Sequence, residues 1–198
     1  YRSDVTATDA GVIHTYTRSG TTWTRGASIN IPEVVASSEF GISTALSTDQ
    51  LYLAVGAQAA GGIVATSGAV YLFSRPNTLS AWTYLYKLWP SDGVVNDGFG
   101  RSVAFSEDGS RLVVSAYIDS GATNYTGSVY IYKRPDLTLD NWILQAKIYA
   151  PDGAVDDRFG ISSTISADGS VLAVGASPRD NRGVNSGCVY IYTCRGND

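Results

Sequence analysis

Four short runs of hydrophobic and polar positions recur along the chain in a fixed order. The first, strand A, alternates: Phe40-Ile42-Thr44-Leu46, Phe99-Arg101-Val103-Phe105 and Phe159-Ile161-Ser163-Ile165 share one face, with small residues such as Ser102 and Ala104 on the other. Alternation with period two predicts a strand. A tight turn follows at Ser106-Glu107-Asp108-Gly109 and Ser166-Ala167-Asp168-Gly169, where Asp-Gly supplies the positive φ of a hairpin. Strand B (51–57, 112–116, 171–176) is apolar on both faces, so both faces must be covered. After a variable loop rich in Gly, Ser and Asn, strand C reads Gly68-Ala69-Val70-Tyr71, Gly127-Ser128-Val129-Tyr130 and Gly187-Cys188-Val189-Tyr190. Strand D opens at a Trp and alternates, with Trp142, Leu144, Ala146 and Ile148 on one side and Gln145 and Lys147 on the other. That is the pattern of a half-exposed outer strand.

Three independent markers share one period. Phe40, Phe99 and Phe159 are spaced 59 and 60 apart, as are Trp23, Trp82 and Trp142, and Tyr71, Tyr130 and Tyr190. The pattern predicts strand A near 40–47, 99–106 and 159–166 and strand B near 51–57, 111–116 and 171–176. Strand C is expected near 11–18, 68–75, 127–134 and 187–194, and strand D near 22–30, 82–89 and 142–149. Leu53, Val55, Val70, Val114, Val129, Val174 and Val189 are expected to be almost fully buried. Four strands of graded burial, repeated with no helical pattern between them, are what a β-propeller blade requires. A β-solenoid is the rival, but its coils are usually shorter. The expected fold is all-β, a propeller of four-stranded antiparallel blades with about 3 to 3.5 repeats present. Residues 1–30 form a partial blade (C and D), 31–90 and 91–150 are blades, and 151–198 is a partial blade (A to C). An array that begins and ends inside a blade leaves open faces and edges, so it is expected to belong to a longer propeller or to complete its blades with another copy of itself.

Composition narrows the function. The 198 residues are 44% hydrophobic and 16% charged, with 21 Gly, 13 Tyr and no Met, which suits short strands and tight turns. A formal charge of −4 offers no basic stripe for phosphates, so neither nucleic acid nor an anionic membrane is an expected partner. No stretch approaches the roughly 18 apolar residues of a membrane helix. Tyr1 is neither an initiator Met nor the start of a signal peptide, so the chain reads as soluble, and as mature or excised. Cys188 and Cys194 lie in one predicted strand, on the order of 20 Å apart at the strand rise, whereas a disulfide needs roughly 4.4–6.8 Å. Each therefore stands as a thiol or takes a partner outside this segment. Asn124-Tyr125-Thr126 is a glycosylation acceptor triplet.

Candidate chemistry gathers at one rim. The links from D to the next A, Ser91 to Asp97 and Pro151 to Asp157, bring Asp92, Asp97, Asp152, Asp156 and Asp157 together there, and 32–38 forms a weaker counterpart. Asp-Gly also makes the turn, and the second Asp can bond the next backbone, so turn-making and ligand contact both stand. The B-to-C loops (58–67, 117–126, 177–186) exit on the same rim and add Tyr117, Asp119, Arg179 and Asp180 as ligand candidates. The serine of Phe-Gly-x-Ser lacks the flanking glycines of a nucleophile elbow and reads as a packing or hydrogen-bonding residue. His14 is the one histidine, standing where other units have Tyr71, Tyr130 and Tyr190, and reads as a packing substitute. No catalytic residue can be assigned, and no phosphate loop, metal-binding Cys pair or nucleophile triad can be assembled.

The ordered pattern Phe-Gly-x-Ser, Asp-Gly, Val-Gly-Ala, Gly-x-Val-Tyr resembles the FG-GAP repeat, the blade of integrin α-subunit propellers and of many bacterial and algal surface proteins. The resemblance implies an extracellular or cell-surface adhesion module, non-catalytic, binding protein or glycan through its loops. Many members carry a calcium loop in the A-to-B hairpin. In this sequence those hairpins shrink to 47–50, 106–109 and 166–169, with one or two carboxylates apiece, where calcium wants six to eight oxygens. They read as structural turns, and no cofactor is expected; Asp108 and Asp168 are the weak calcium candidates. Two other functions stay open: a structural subunit of a filament or surface layer, and a carboxylate enzyme at the propeller mouth.

Overall fold

The computed structural model describes residues 10–30, 33, 36–62, 64–119, 125–136, 141–177 and 186–194. Among these there is no helix, and thirteen strands form four antiparallel sheets. The first holds β1 (Val12–Ser19) and β2 (Thr22–Asn30). The second holds β3 (Ser43–Leu46), β4 (Tyr52–Ala57), β5 (Ala69–Ser74) and β6 (Thr83–Leu88). The third holds β7 (Phe99–Phe105), β8 (Arg111–Ala116), β9 (Ser128–Lys133) and β10 (Ile143–Ile148). The fourth holds β11 (Phe159–Ile165), β12 (Val171–Ala176) and β13 (Cys188–Thr193). Within each sheet the strands lie in chain order.

The core lies between sheets. The second, third and fourth sheets each offer a Phe and the Tyr-x-Phe/Tyr of the C-type strand to the sheet before, and the second and third offer a Val-x-Leu/Ile face to the sheet after. Phe99, Tyr130, Tyr132 and Trp142 of the third sheet pack on Val70 and Leu72 of the second. Phe40, Tyr71 and Phe73 pack on Ile29 and Ile13 of the first. Phe159, Tyr190 and Tyr192 of the fourth pack on Val113, Val129 and Ile131 of the third. The rings meet edge to face, with Phe99 and Tyr130 centroids 5.2 Å apart and Phe159 and Tyr190 5.3 Å apart, the favoured geometry of aromatic pairs.

Backbone bonds fix the stacking. The Phe N–H that opens each unit donates to the carbonyl just before the preceding C-type strand: Phe40 to Ala10 O at 3.1 Å, Phe99 to Ser67 O at 3.1 Å, Phe159 to Thr126 O at 2.8 Å. This approach explains the glycine of Gly-x-Val-Tyr. A Cβ at Gly68 would sit 2.2 Å from Phe99 O, and one at Gly127 2.1 Å from Phe159 O. The serines that follow Phe-Gly bridge neighbouring inner strands, Ser43 Oγ donating to Gly100 O at 2.7 Å and Ser102 Oγ accepting from Ser163 N at 3.0 Å.

Strand A of the second sheet, Ser43–Leu46, lies inside the expected 40–47 and starts three residues later. Three expectations need correction. Val189 is 66% exposed, not buried, because the burial of such a valine comes from the next sheet and no sheet covers the outer face of the fourth among the described residues. In β10 a bulge at Gln145 breaks the alternation, so that Leu144 faces Tyr132 and Ala146 faces Ile131. Leu144 is left exposed and Lys147 is carried inward beside Tyr130. His14 is likewise not a packing residue: it is exposed, with Nδ1 3.0 Å from Ser28 Oγ and 2.9 Å from Arg25 Nη2. Cys188 and Cys194 are not joined to each other.

Candidate ligand-binding rim

Antiparallel order puts the D-to-A links and the B-to-C loops at one end of every sheet. The link between β6 and β7 is braced on both sides. Asn96 N–H donates to Thr66 O at 3.1 Å, Thr66 Oγ1 to Asn96 Oδ1 at 2.8 Å, and Ile118 N–H to Asp97 O at 3.1 Å. Inside the link, Val94 N–H donates to Asp97 Oδ2 at 2.7 Å, and in the next link Ala154 N–H donates to Asp157 Oδ2 at 2.7 Å. Asn96 and Asp156 take φ of 69° and 66°, a conformation Asn and Asp tolerate better than other side chains. These bonds leave Val94, Val95 and Val155 out in solvent, with Tyr125 of the neighbouring loop exposed as well.

Behind this fringe a carboxylate clamp repeats. Tyr71 donates to Glu33 Oε1 at 2.6 Å, Tyr130 to Asp92 Oδ1 at 3.0 Å and Tyr190 to Asp152 Oδ1 at 2.7 Å, each pair 38 residues apart. A D-strand lysine joins two of them, Lys87 Nζ at 2.5 Å from Glu33 Oε1 and Lys147 Nζ at 2.7 Å from Asp92 Oδ2. In the third sheet the clamp grows: Lys147 Nζ also lies 2.6 Å from Asp119 Oδ2, which accepts from Ser128 Oγ at 2.6 Å and Tyr130 Oη at 3.2 Å. The bonds from Lys87, then from Tyr71, hold Glu33 below its usual range. For Lys147 burial pulls the pKa down, but its bonds to Asp119, Asp92 and Tyr130 outweigh this and push it up. Burial likewise pushes Asp92 up, and the bonds from Lys147 and Tyr130 overcome it and keep the carboxyl low.

Asp97 is the exception. It is 2% exposed, and its Oδ1 has no hydrogen-bond partner. Burial, opposed by the Val94 N–H and reinforced by Asp119 and Asp92, raises it from 3.8 to about 6, with Lys147 pulling the other way. A raised carboxyl contributes stability below its unfolded pKa and loses it as pH rises through the folded value. Asp97→Asn should therefore stabilise the protein at pH 8 by on the order of 2 kcal/mol, and the gain should shrink toward pH 5. Urea unfolding of both forms at the two pH values checks this; an unchanged or lower stability of the variant at pH 8 would refute it.

Of the sequence-derived candidates, Asp92, Asp97 and Asp119 gather around Lys147. Asp152 holds Tyr190, Asp157 caps its own link, and Asp156 is exposed in the left-handed conformation. Tyr117 stacks under Arg101, 5.3 Å from guanidinium carbon to ring centre. Arg179, Asp180 and Asn124 lie outside the described residues. At the opposite end, Asp108 Oδ1 accepts from Ser106 Oγ at 2.7 Å and from Ser110 N and Oγ at 3.0 and 2.8 Å. Asp168 repeats the arrangement with Ser166 and Ser170, whose bonds hold it at about 2. Among the described residues no three acidic, His or Cys side chains come together to hold a metal ion. Missed from sequence were both lysines, the tyrosine hydroxyls, and the valine fringe. The constant separation of 38 residues between carboxylate and tyrosine was the available signal.

Comparison with known proteins decides the family. The FG-GAP repeat profile matches residues 82–132 and 142–192, together just over half of the chain. The chain belongs to the FG-GAP repeat family. Its fold also matches the β-propeller domain of Cps50 (Swd1) from Myceliophteria thermophila, with a TM-score of 0.54 at 16% identity, over 85% of this chain and 43% of that one. At that identity the likeness speaks for the propeller fold alone. The match spans less than half of that chain's length. No curated protein matched. The two matched stretches each run from a D strand through the next C strand, so one FG-GAP match covers a link, its carboxylate and the tyrosine that the carboxylate binds.

Proposed function

We propose that this FG-GAP propeller segment is a non-catalytic recognition module of the cell surface or extracellular space, binding a protein or glycan through the link-and-loop rim. The observation that supports it is the exposed fringe of Val94, Val95 and Val155 beside Tyr125, carried on links closed by Asx bonds, the first of them also braced to the loops on both sides. Apolar side chains displayed on a rigid frame bind with little ordering cost. The carboxylates behind them are engaged by lysine, tyrosine and backbone donors, which suits a frame better than proton transfer.

Binding of the chain to immobilised matrix proteins (collagen, fibronectin, laminin) and to a glycan array tests the reading. At least one ligand should bind and lose roughly tenfold or more in affinity with Val94→Asp/Val95→Asp. Leu79→Asp, exposed on the loop between β5 and β6 at the far end, should bind as the parent does. Binding that ignores the valines, or falls equally with Leu79→Asp, would contradict it.

A further inference from the structure

The outer face of the fourth sheet repeats an acceptor surface that is covered everywhere else in the molecule. Val70 and Leu72 are sealed by the third sheet, and Val129 and Ile131 pack against the fourth. Their counterparts Val189 and Ile191 are 66% and 62% exposed. The complementary donor face is also open, at the other end of the stack. Tyr16 occupies in β1 the place that Phe73, Tyr132 and Tyr192 hold in the other C-type strands, and it is exposed, with His14 beside it where they have Tyr71, Tyr130 and Tyr190. The first and fourth sheets are not hydrogen-bonded to each other.

We propose that two copies of this chain associate head to tail, the Val189/Ile191 face of each packing on the His14/Tyr16 face of the other. The interface continues the one the repeats already make within the chain, with an aliphatic strand face under aromatic side chains. A second copy is the fitting occupant because one molecule carries both halves. The extent of the fold agrees: the match covers 43% of the chain of the β-propeller domain it resembles, so two copies of the matched fold supply slightly less than one such domain. A head-to-tail contact made twice closes a ring, and a closed ring leaves neither face in water.

Sedimentation equilibrium of the chain across a wide concentration range tests this. The parent should approach twice its 21.0 kDa mass. Val189→Asp/Ile191→Lys and Tyr16→Asp alter exposed side chains, so each should fold with an unchanged circular dichroism spectrum. Each alone should lose at least ~10-fold in self-association. Mixed together, they should form a 1:1 pair, since each keeps the half the other lacks. A parent that stays monomeric at hundreds of micromolar, a series of ever larger oligomers, or variants that fail to pair on mixing would each overturn the proposal.

Discussion

Lys147→Met should destabilise the protein by about 3–5 kcal/mol, the range for breaking a buried ion pair by removing one partner. The ammonium lies within 2.7 Å of both Asp92 and Asp119 and 4.7 Å from the centre of the Tyr130 ring. Without it, Asp119, whose side chain is 6% exposed, loses its lysine partner in a site it shares with Asp92 and Asp97. The matching change one repeat earlier, Lys87→Met, should cost only about 1 kcal/mol, because Glu33 is 47% exposed and water takes over its solvation. Adding Asp119→Asn to Lys147→Met should recover a large part of the loss, since the uncompensated charge is what costs. Urea unfolding of the four forms measures all three differences. Equal, small effects at the two lysines would show that the larger clamp adds nothing.

Phe99→Ala should cost a similar amount, about 3–5 kcal/mol, as expected for emptying a fully buried aromatic site. Phe99 is completely buried and stands edge-on to Tyr130 and Tyr132 where the third sheet meets the second. In a repeat array each unit touches only its neighbours, so weakening one interface also weakens cooperativity. The variant should unfold at lower urea concentration and over a broader range than the parent. A sharp transition within about 1 kcal/mol of the parent would mean that the sheets do not depend on this contact.

How far the chain could be read before folding depends on where each property is encoded. Strands B and C were legible because their β-branched and aromatic runs have no helical alternative, and β8 and β12 begin and end where the pattern placed them. The Asp-Gly hairpins were legible because Gly109 and Gly169 must take positive φ, and do, at 67° and 71°. Burial of a valine face was not, since Val70 and Val189 sit in near-identical strands and differ only in what lies on top. Lys147 was placed outward by strict alternation, and one bulged residue reversed it. The carboxylates at 92, 97, 152, 156 and 157 stand in the links between strands, a position the turn residues around them make readable. Their partners lie one strand away in space but 38 or 55 residues away in sequence, and only the fold brings them together.

Amide hydrogen exchange resolved by peptide tests the stacked-sheet account most directly. If each sheet is sealed by its neighbours, the amides of β4, β5, β8 and β9 should exchange most slowly. Those of β2, β6 and β10 on the outer edge should exchange much faster, and β13, with its open face, should be less protected than β5 and β9 despite its matching sequence. Equal protection of β5, β9 and β13 together with slow exchange in β2 would contradict both the order of burial and the open fourth face, unless it vanished on dilution below the concentration at which two copies associate.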